Sequence, residues 1–86
     1  MKFFVYLLIS KSNKTIISYV GYTSNLKNRI KLHNSGKGAK FTRGRKWILA
    51  YKKCYKFKTD AIKNEILLKK NYKKRLEIKK NFLQLK

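Results

Sequence analysis

Residues 3–22 read FFVYLLISKSNKTIISYVGY and predict one β-hairpin. The first arm, residues 3–9, is apolar throughout, which is typical of a central strand that is buried on both faces. Polar residues at positions 11–14 predict the turn, and a second apolar arm covers residues 16–22. The rest of the fold can be arranged around this hairpin.

The length of the turn sets which residues of the two arms face each other. A two-residue loop and a four-residue loop, both centred on residues 12–13, give the same register. In that register Tyr6 lies opposite Tyr19, and Phe4 lies opposite Gly21 on the same face of the sheet. Because Gly21 has no side chain, we expect it to leave room for a ligand beside the two phenols.

The chain after the hairpin shows alternating helix and strand patterns. The predicted elements are a helix capped by Ser24 or Asn25 that runs to about Asn34, a loop at residues 35–46 and a strand at residues 47–57. They are followed by a helix that Thr59 caps and that runs to about Lys70, and by a helix at about residues 72–85. This ββαβαα order predicts an α+β fold in which helices flank a small three-stranded antiparallel sheet. Because no proline, repeat or Ser/Gly-rich linker occurs, residues 1–86 are predicted to form a single domain.

The third predicted strand alternates in hydrophobicity. The alternation places one set of side chains on a common face, namely Trp47, Leu49, Tyr51, Tyr55 and Phe57. Cys54 lies in the same strand and is predicted to be a small core residue. It is the single cysteine of the chain, so a disulfide framework and a cysteine-based zinc site are both excluded.

The charge of the chain is strongly positive, with 24 Lys and Arg residues against 3 Asp and Glu, a net charge of +21. Like charges at this density repel and destabilise the compact state unless a polyanion lies nearby. An AT-rich genome would raise the lysine content, but it would raise glutamate as well, and glutamate occurs only at Glu65 and Glu77. The composition therefore favours a nucleic-acid partner. The apolar start is too short for a membrane span, so we expect a cytoplasmic, nucleoid-associated protein with no membrane partner.

Glu65 lies within the apolar stripe of its predicted helix, which Ala61, Leu68 and Tyr72 share. An ionised carboxylate aimed toward the core is costly unless it is paired or bound to a metal ion. An ordinary i,i+4 pair with Lys69, worth about 0.3–0.5 kcal/mol, explains the position equally well. From this position alone, both interpretations remain open. Glu77 is better explained as a member of a surface ion pair.

Arg29 and His33 are one helical turn apart, so their side chains lie on one face, along the edge of the buried stripe. An arginine can direct two N–H groups at a phosphate. A single histidine at a helix edge is more often a packing or capping residue, and most tyrosines in a small core are packing residues. These residue types nevertheless suit phosphodiester chemistry if Tyr6 and Tyr19 lie beside them.

The loop at residues 35–46 is both basic and rich in glycine. Its cations are predicted to follow a nucleic-acid backbone and are Lys37, Lys40, Arg43, Arg45 and Lys46. Three glycines, at positions 36, 38 and 44, would permit tight turns. The last helix carries a second strip of basic residues, whose alternative interpretation is a solvated charged face.

The chain carries a family resemblance in a series of short segments. These are Phe4-Val5-Tyr6, Tyr19-Val20-Gly21, Leu26-Lys27-Asn28-Arg29, His33-Asn34-Ser35-Gly36, Gly38-Ala39-Lys40, Thr42-Arg43-Gly44 and Trp47. From about Phe3 to Leu76 this ordered set resembles the GIY-YIG nuclease family. The resemblance is to its small stand-alone bacterial members and to the nuclease module of structure-specific DNA repair enzymes. Phe4 stands where the family name has its first glycine.

The resemblance implies a role for each candidate residue. Tyr19 would be the base that activates water, assisted by Tyr6 or His33. Arg29 would bind the scissile phosphate. Glu65 would hold one Mg²⁺ or Mn²⁺ ion, which would stabilise the leaving oxygen.

The leading hypothesis from the sequence is a metal-dependent endonuclease that acts on DNA, with branched or damaged DNA in repair or recombination as the expected substrate. The alternative is a basic nucleic-acid-binding module with the same fold that does not cut. A structural adaptor for an acidic partner would explain the charge but not the set of Tyr, Arg and Glu residues. For a nuclease of this size, a separate protein partner for targeting is also expected.

Overall fold

A computed structural model describes residues 1–12 and 15–84, leaving the side chain of Ser12 outside the description. Within these residues the chain forms three strands, three α-helices and one 3₁₀-helix. They are β1 (Phe3–Ser12), β2 (Thr15–Thr23), α1 (Leu26–Asn34), the 3₁₀-helix (Lys40–Thr42), β3 (Ile48–Tyr55), α2 (Lys58–Lys70) and α3 (Tyr72–Gln84). The predicted α+β class and ββαβαα order are confirmed.

The three strands form one antiparallel sheet in the order β2-β1-β3, with β1 in the centre. Because side chains alternate along a strand, β1 supplies both faces of the sheet. Val5, Leu7 and Ile9 lie in a core with Ala61 and Leu68 of α2 and Ile78 of α3, and Tyr6 and Leu8 lie in a second core with Trp47. The apolar first arm is therefore a central strand covered on both faces, as predicted.

The predicted hairpin register is wrong by two residues. Tyr6 lies opposite Gly21, and Tyr19 lies opposite Leu8. The turn lies one residue later than expected, since Ser12 pairs with Thr15. Its tip at residues 13–14 lies outside the described residues. A shift by two keeps every side chain on its face, so Tyr6 and Tyr19 still lie on the same side of the sheet, as diagonal neighbours.

Gly21 gives a physical reason for this register. A Cβ atom at Gly21 would meet the Oη and Cζ atoms of Tyr6, so the phenol of Tyr6 occupies the space that a side chain there would fill. The expectation that Gly21 leaves room for a ligand is therefore corrected. This glycine makes room for Tyr6.

A β-bulge divides β3 between the two faces of the sheet. Leu7 pairs with Tyr51 while the next residue, Leu8, pairs with Leu49, which leaves Ala50 as the extra residue. Trp47 and Leu49 consequently join the Tyr6 core, whereas Tyr51 and Tyr55 pack against the opposite core. The prediction of one common face is wrong because simple alternation does not continue through a bulge.

Three local predictions at the ends of elements have different outcomes. Asn25 caps α1 as expected, since its Oδ1 accepts the N–H of Asn28 at 3.1 Å. Thr59 does not cap α2, because that helix already begins at Lys58 with Phe57 in the capping position. Cys54 is exposed rather than buried, because its neighbour Tyr55 takes the inward direction and successive strand residues point to opposite faces.

Candidate active site

Three rings from three different elements meet on the α1 side of the sheet. The Oη of Tyr6, on β1, lies 2.8 Å from the Nε2 of His33, on α1. The ring of Tyr19, on β2, contacts the same histidine at a centroid distance of 5.0 Å. Tyr6 is 1% exposed and His33 is 0% exposed. His33 is therefore the buried centre of the cluster, and its predicted position at the edge of the helix stripe is corrected.

The hydrogen bonds of Thr42 assign the tautomer of His33. The Thr42 hydroxyl donates its single proton to the carbonyl oxygen of Ala39 at 2.9 Å, and it accepts the Ala39 N–H at 3.2 Å. With that proton used, the Thr42 oxygen can only accept from His33 Nδ1, which lies 2.9 Å away. A neutral His33 then carries its hydrogen on Nδ1, so Nε2 accepts the hydroxyl proton of Tyr6.

Burial and nearby charges keep both partners of this hydrogen bond neutral. Burial raises the pKa of Tyr6, and the charges of Tyr19 and Glu65 act in the same direction, while the adjacent Arg29 guanidinium opposes them. Burial lowers the pKa of His33, and the positive charge of Arg29 lowers it further. At neutral pH Tyr6 consequently keeps its proton and acts as a hydrogen-bond donor, which leaves its oxygen lone pair directed away from His33.

Arg29 and Glu65 bring opposite charges to the ring cluster. Arg29 lies on α1, one turn before His33, and its buried Nε has no hydrogen-bond partner among the described residues. Glu65 lies on α2, which packs along β1 and β2, and its charge acts on the Tyr6 phenol. The structure therefore brings Tyr6, Tyr19, Arg29 and His33 together on one face of the sheet, while Glu65 lies on a different helix from Arg29 and His33 and acts on Tyr6 through its charge.

Glu65 also makes the ordinary helix pair that the sequence left open. Its Oε2 lies 3.6 Å from the Nζ of Lys69, with the carboxylate side chain 14% exposed and the lysine side chain 52% exposed. An ion pair to such an exposed lysine is weak, at about 0.2–1 kcal/mol, so it can be exchanged for another cation. The predicted surface pair of Glu77 is confirmed, with Lys74 at 3.8 Å.

Gly38 lies directly against His33. A Cβ atom at Gly38 would meet the Nδ1, Cγ and Cα atoms of the histidine. The sequence interpreted this glycine as a turn residue, but its φ lies outside the positive range that Gly36 and Gly44 adopt. Its contribution is the absence of a side chain. Gly21 and Gly38 thus act in the same way, because each leaves the space that one of the two hydrogen-bonded rings, Tyr6 or His33, occupies.

The basic loop is fastened at both ends by hydrogen bonds that the sequence did not predict. The Asn34 side chain accepts the backbone N–H of Trp47 at 2.6 Å and donates to the Trp47 carbonyl at 3.1 Å. The Trp47 indole N–H donates to the carbonyl of Thr42 at 2.9 Å. Periodicity gave no signal for these bonds. A usable signal was that a buried histidine needs an acceptor for its second nitrogen, and Thr42 provides a nearby hydroxyl.

The five cations of the loop are not equivalent. Four are exposed, namely Lys37, Lys40, Arg43 and Lys46. Arg45 is half-buried, and its Nε donates to the hydroxyl of Ser10 at 3.3 Å. The structure thus presents four of the predicted nucleic-acid-binding residues to solvent and ties the fifth to the sheet.

Comparison with known families agrees with this geometry. The model of the GIY-YIG catalytic domain matches residues 2–81 of the chain. The chain belongs to the GIY-YIG family. GIY-YIG proteins form a nuclease family, and its nucleases generally use divalent metal ions.

Several bacterial proteins resemble this GIY-YIG chain along much of its length. A UPF0213 protein of Bacillus licheniformis is 45% identical over 60 residues, which cover 69% of this chain and 62% of that protein. A UPF0213 protein of Staphylococcus haemolyticus is 39% identical, covering 79% of this chain and 80% of that protein. The solution structure of the UPF0213 protein BH0048 from Bacillus halodurans is 36% identical with a TM-score of 0.51, covering 100% of this chain and 86% of that protein. None of these names states a reaction, so the reaction is argued below from the GIY-YIG site.

The acidic residues of the chain fit a metal ion bound largely by substrate and water. Among residues 1–12 and 15–84, no three His, Cys, Asp or Glu side chains converge on one point suited to a metal ion. Mg²⁺ is commonly held by one or two carboxylates together with phosphate and water oxygens, and Glu65 fits that pattern.

Among residues 1–12 and 15–84, none of the helices of this GIY-YIG chain is long and apolar enough to span a membrane.

Proposed function

We propose that the protein is an endonuclease that hydrolyses phosphodiester bonds of DNA with the help of one Mg²⁺ or Mn²⁺ ion. The observation that carries this proposal is the buried Nε of Arg29, which lacks a partner among the described residues and lies beside the Tyr6–His33 pair. Buried donors are rarely left unpaired, so this nitrogen calls for an acceptor that the described residues do not supply. A phosphate oxygen is such an acceptor, and it can take two N–H bonds from one guanidinium.

Each residue of the site has a role in this reaction. Arg29 binds the scissile phosphate and stabilises the charge that grows on it. Tyr19 takes the proton of the attacking water, whose oxygen forms the new bond to phosphorus while the bond to the leaving oxygen breaks. Tyr6 keeps its own proton, and its hydrogen bond to His33 fixes the phenol beside the Arg29 guanidinium. Glu65 would hold the divalent cation, which would supply charge stabilisation at the leaving oxygen.

The second candidate is a DNA-binding module that does not cut. The observation in its favour is the ion pair between Glu65 and Lys69, which occupies one oxygen of the proposed metal ligand. The net charge of +21 serves both candidates equally, because it favours contact with any phosphate backbone.

Nicking of supercoiled plasmid DNA separates the two candidates. We expect nicked circles to form only with Mg²⁺ or Mn²⁺, and we expect a loss of at least about 100-fold in Glu65→Gln and Tyr19→Phe. Glu77→Gln is the matched control, since it also removes one helix carboxylate that pairs with a lysine. Salt-sensitive binding without metal-dependent nicking would favour the module. Full nicking activity in both site variants would show that the active site lies elsewhere.

The finer parts of the proposal concern the substrate and its delivery. We propose that residues 1–86 act as one nuclease domain in the nucleoid, on branched or damaged DNA during repair or recombination. A small open site with many exposed cations suits contact with the DNA backbone, and a targeting protein would then select the site of action. Rates on matched linear, nicked, flapped and four-way substrates test this, and equal rates on all four would remove the structural preference.

A further inference from the structure

A groove opens beside Tyr19, next to the ring cluster. It has a volume of about 250 Å³ and is lined by Ser18, Tyr19, Val20, Phe41, Lys69 and Arg75. These residues come from β2, from the 3₁₀-helix of the basic loop, and from α2 and α3. The roles proposed for the catalytic residues leave Phe41, Lys69 and Arg75 unexplained.

One wall of the groove is aromatic. Phe41 stacks on Tyr19 with ring centroids 6.1 Å apart and planes inclined by 22°, yet its side chain remains 59% exposed. Trp47 lies behind both rings, at a centroid distance of 6.3 Å from each. An exposed phenylalanine held by a stack has a free face of fixed orientation. Such faces bind nucleobases, since every base has a π-surface.

The other wall is cationic. The Nε of Arg75 is buried and has no hydrogen-bond partner among the described residues, while its guanidinium carbon lies 5.6 Å from the ring centroid of Tyr72. Lys69 is half-exposed, and its recorded ion-pair partner is Glu65. An unpaired buried guanidinium nitrogen beside a lysine favours an anion, and a phosphate fits both donors.

We propose that this groove binds the DNA nucleotide that flanks the scissile phosphate, with its base on Phe41 and its phosphate on Arg75 and Lys69. The groove adjoins Tyr19, so a strand with its scissile phosphate at Arg29 passes it. The placement of this nucleotide next to the scissile phosphate rests on the proposed endonuclease function. Its binding of a nucleotide is independent of cutting.

The test uses the full chain without metal, so that no cleavage takes place. The ligands are hexathymidylate and a hexamer of abasic deoxyribose phosphates, which carries the same backbone but no bases. Trp47 is the single tryptophan and is buried against Phe41, so its fluorescence responds to a base that stacks on Phe41, and comparison with Phe41→Ala separates this response from binding elsewhere on the basic loop. Fluorescence anisotropy of labelled hexamers gives the Kd of each complex.

The wild-type protein should bind hexathymidylate about tenfold more tightly than the abasic hexamer, as expected for one stacked base. Phe41→Ala should abolish this difference, whereas Phe57→Ala should keep it, because Phe57 is 58% exposed and lies outside the groove. Arg75→Lys, which keeps the charge but lacks Nε, should weaken the binding of both hexamers and leave the base preference intact. Thermal unfolding followed by circular dichroism identifies any variant that does not fold.

Equal affinity for the two hexamers in the wild-type protein would overturn the subsite, as would an equal loss of preference in Phe41→Ala and Phe57→Ala. A base preference that depends on Phe41, found in a protein that does not nick plasmid, would support the subsite and refute the endonuclease. Nicking without a base preference would do the reverse.

Discussion

Replacement of Thr42 by valine removes the one oxygen that fixes the tautomer of His33. Valine has nearly the same shape as threonine, so the change removes hydrogen bonds with little effect on packing. The Nδ1–H group of His33 then faces a methyl group in a fully buried position. Leaving a buried donor unpaired costs about 1–3 kcal/mol. For a chain of this size, that corresponds to a decrease of roughly 10 °C in Tm.

The tautomer itself can be measured directly, because the chain has a single histidine. Two-dimensional ¹⁵N–¹H spectra of the imidazole should show the hydrogen on Nδ1 in the wild-type protein. In Thr42→Val a substantial fraction of the protein should carry the hydrogen on Nε2, which deprives Tyr6 of its acceptor. Plasmid nicking should decrease with it, because the Tyr6 phenol is then no longer fixed beside the Arg29 guanidinium.

Two matched variants distinguish the hydrogen bond from general damage. Thr42→Ser keeps the hydroxyl, so it should keep the wild-type tautomer and lose only about 0.8 kcal/mol for one buried methyl group. Thr59→Val makes the same chemical change at an exposed position in α2 and should leave the imidazole spectrum unchanged. A wild-type spectrum with the hydrogen on Nε2, or an unaltered spectrum in Thr42→Val, would refute the assignment.

Three further predictions follow from the same structure. Gly21→Ala should displace the Tyr6 phenol, which lowers the free energy of unfolding by about 1–3 kcal/mol and reduces nicking. In the control Gly36→Ala the new methyl group meets no atom within 4 Å, so this variant should lower stability without reducing nicking. Burial lowers the pKa of His33, so below about pH 6.5 the unfolded chain binds a proton that the folded chain does not. Tm should therefore be constant well above pH 6.5 and decrease as the pH falls below that value. His33→Gln should lack this decrease. In Arg43→Ala the slope of log K for duplex DNA binding against log salt concentration should become less steep by about 0.9. Arg45→Ala should change the slope by less, because the Arg45 guanidinium is already hydrogen-bonded to Ser10 of the sheet. Equal changes in the two variants would refute this distinction.

The sequence predicted the helices and strands of the fold better than it predicted the register between the strands. The apolar run of β1 and the cap at Asn25 are local signals, and the structure confirms both. The register was wrong because the tip of a hairpin allows several loop lengths, and the packing of Tyr6 against Gly21 selects among them. The bulge at Ala50 could not be read from alternation, since it arises where β3 must serve two cores.

The sequence proposed the members of the candidate site, and these remain predictions, but it gave no signal for the hydrogen bonds that connect them. The spacing of Arg29 and His33 placed them on one helix face, and the stripe position of Glu65 marked it as unusual. The bond from His33 to Thr42 joins a helix to a loop, and such a contact depends on tertiary packing that no periodicity reports. The roles of Tyr19, Arg29 and Glu65 in cutting remain predictions for the nicking assay.

The double hydrogen bond between Asn34 and Trp47 has a consequence for how DNA is captured. It joins the two ends of a twelve-residue cationic segment, positions 35–46, into a closed ring. A loop that is already ordered loses little conformational entropy when DNA binds, so less of the favourable electrostatic free energy is offset by ordering the loop. We therefore expect these positive charges to form a binding surface that is ordered before DNA arrives, so that the DNA adapts its path to the shape of the loop.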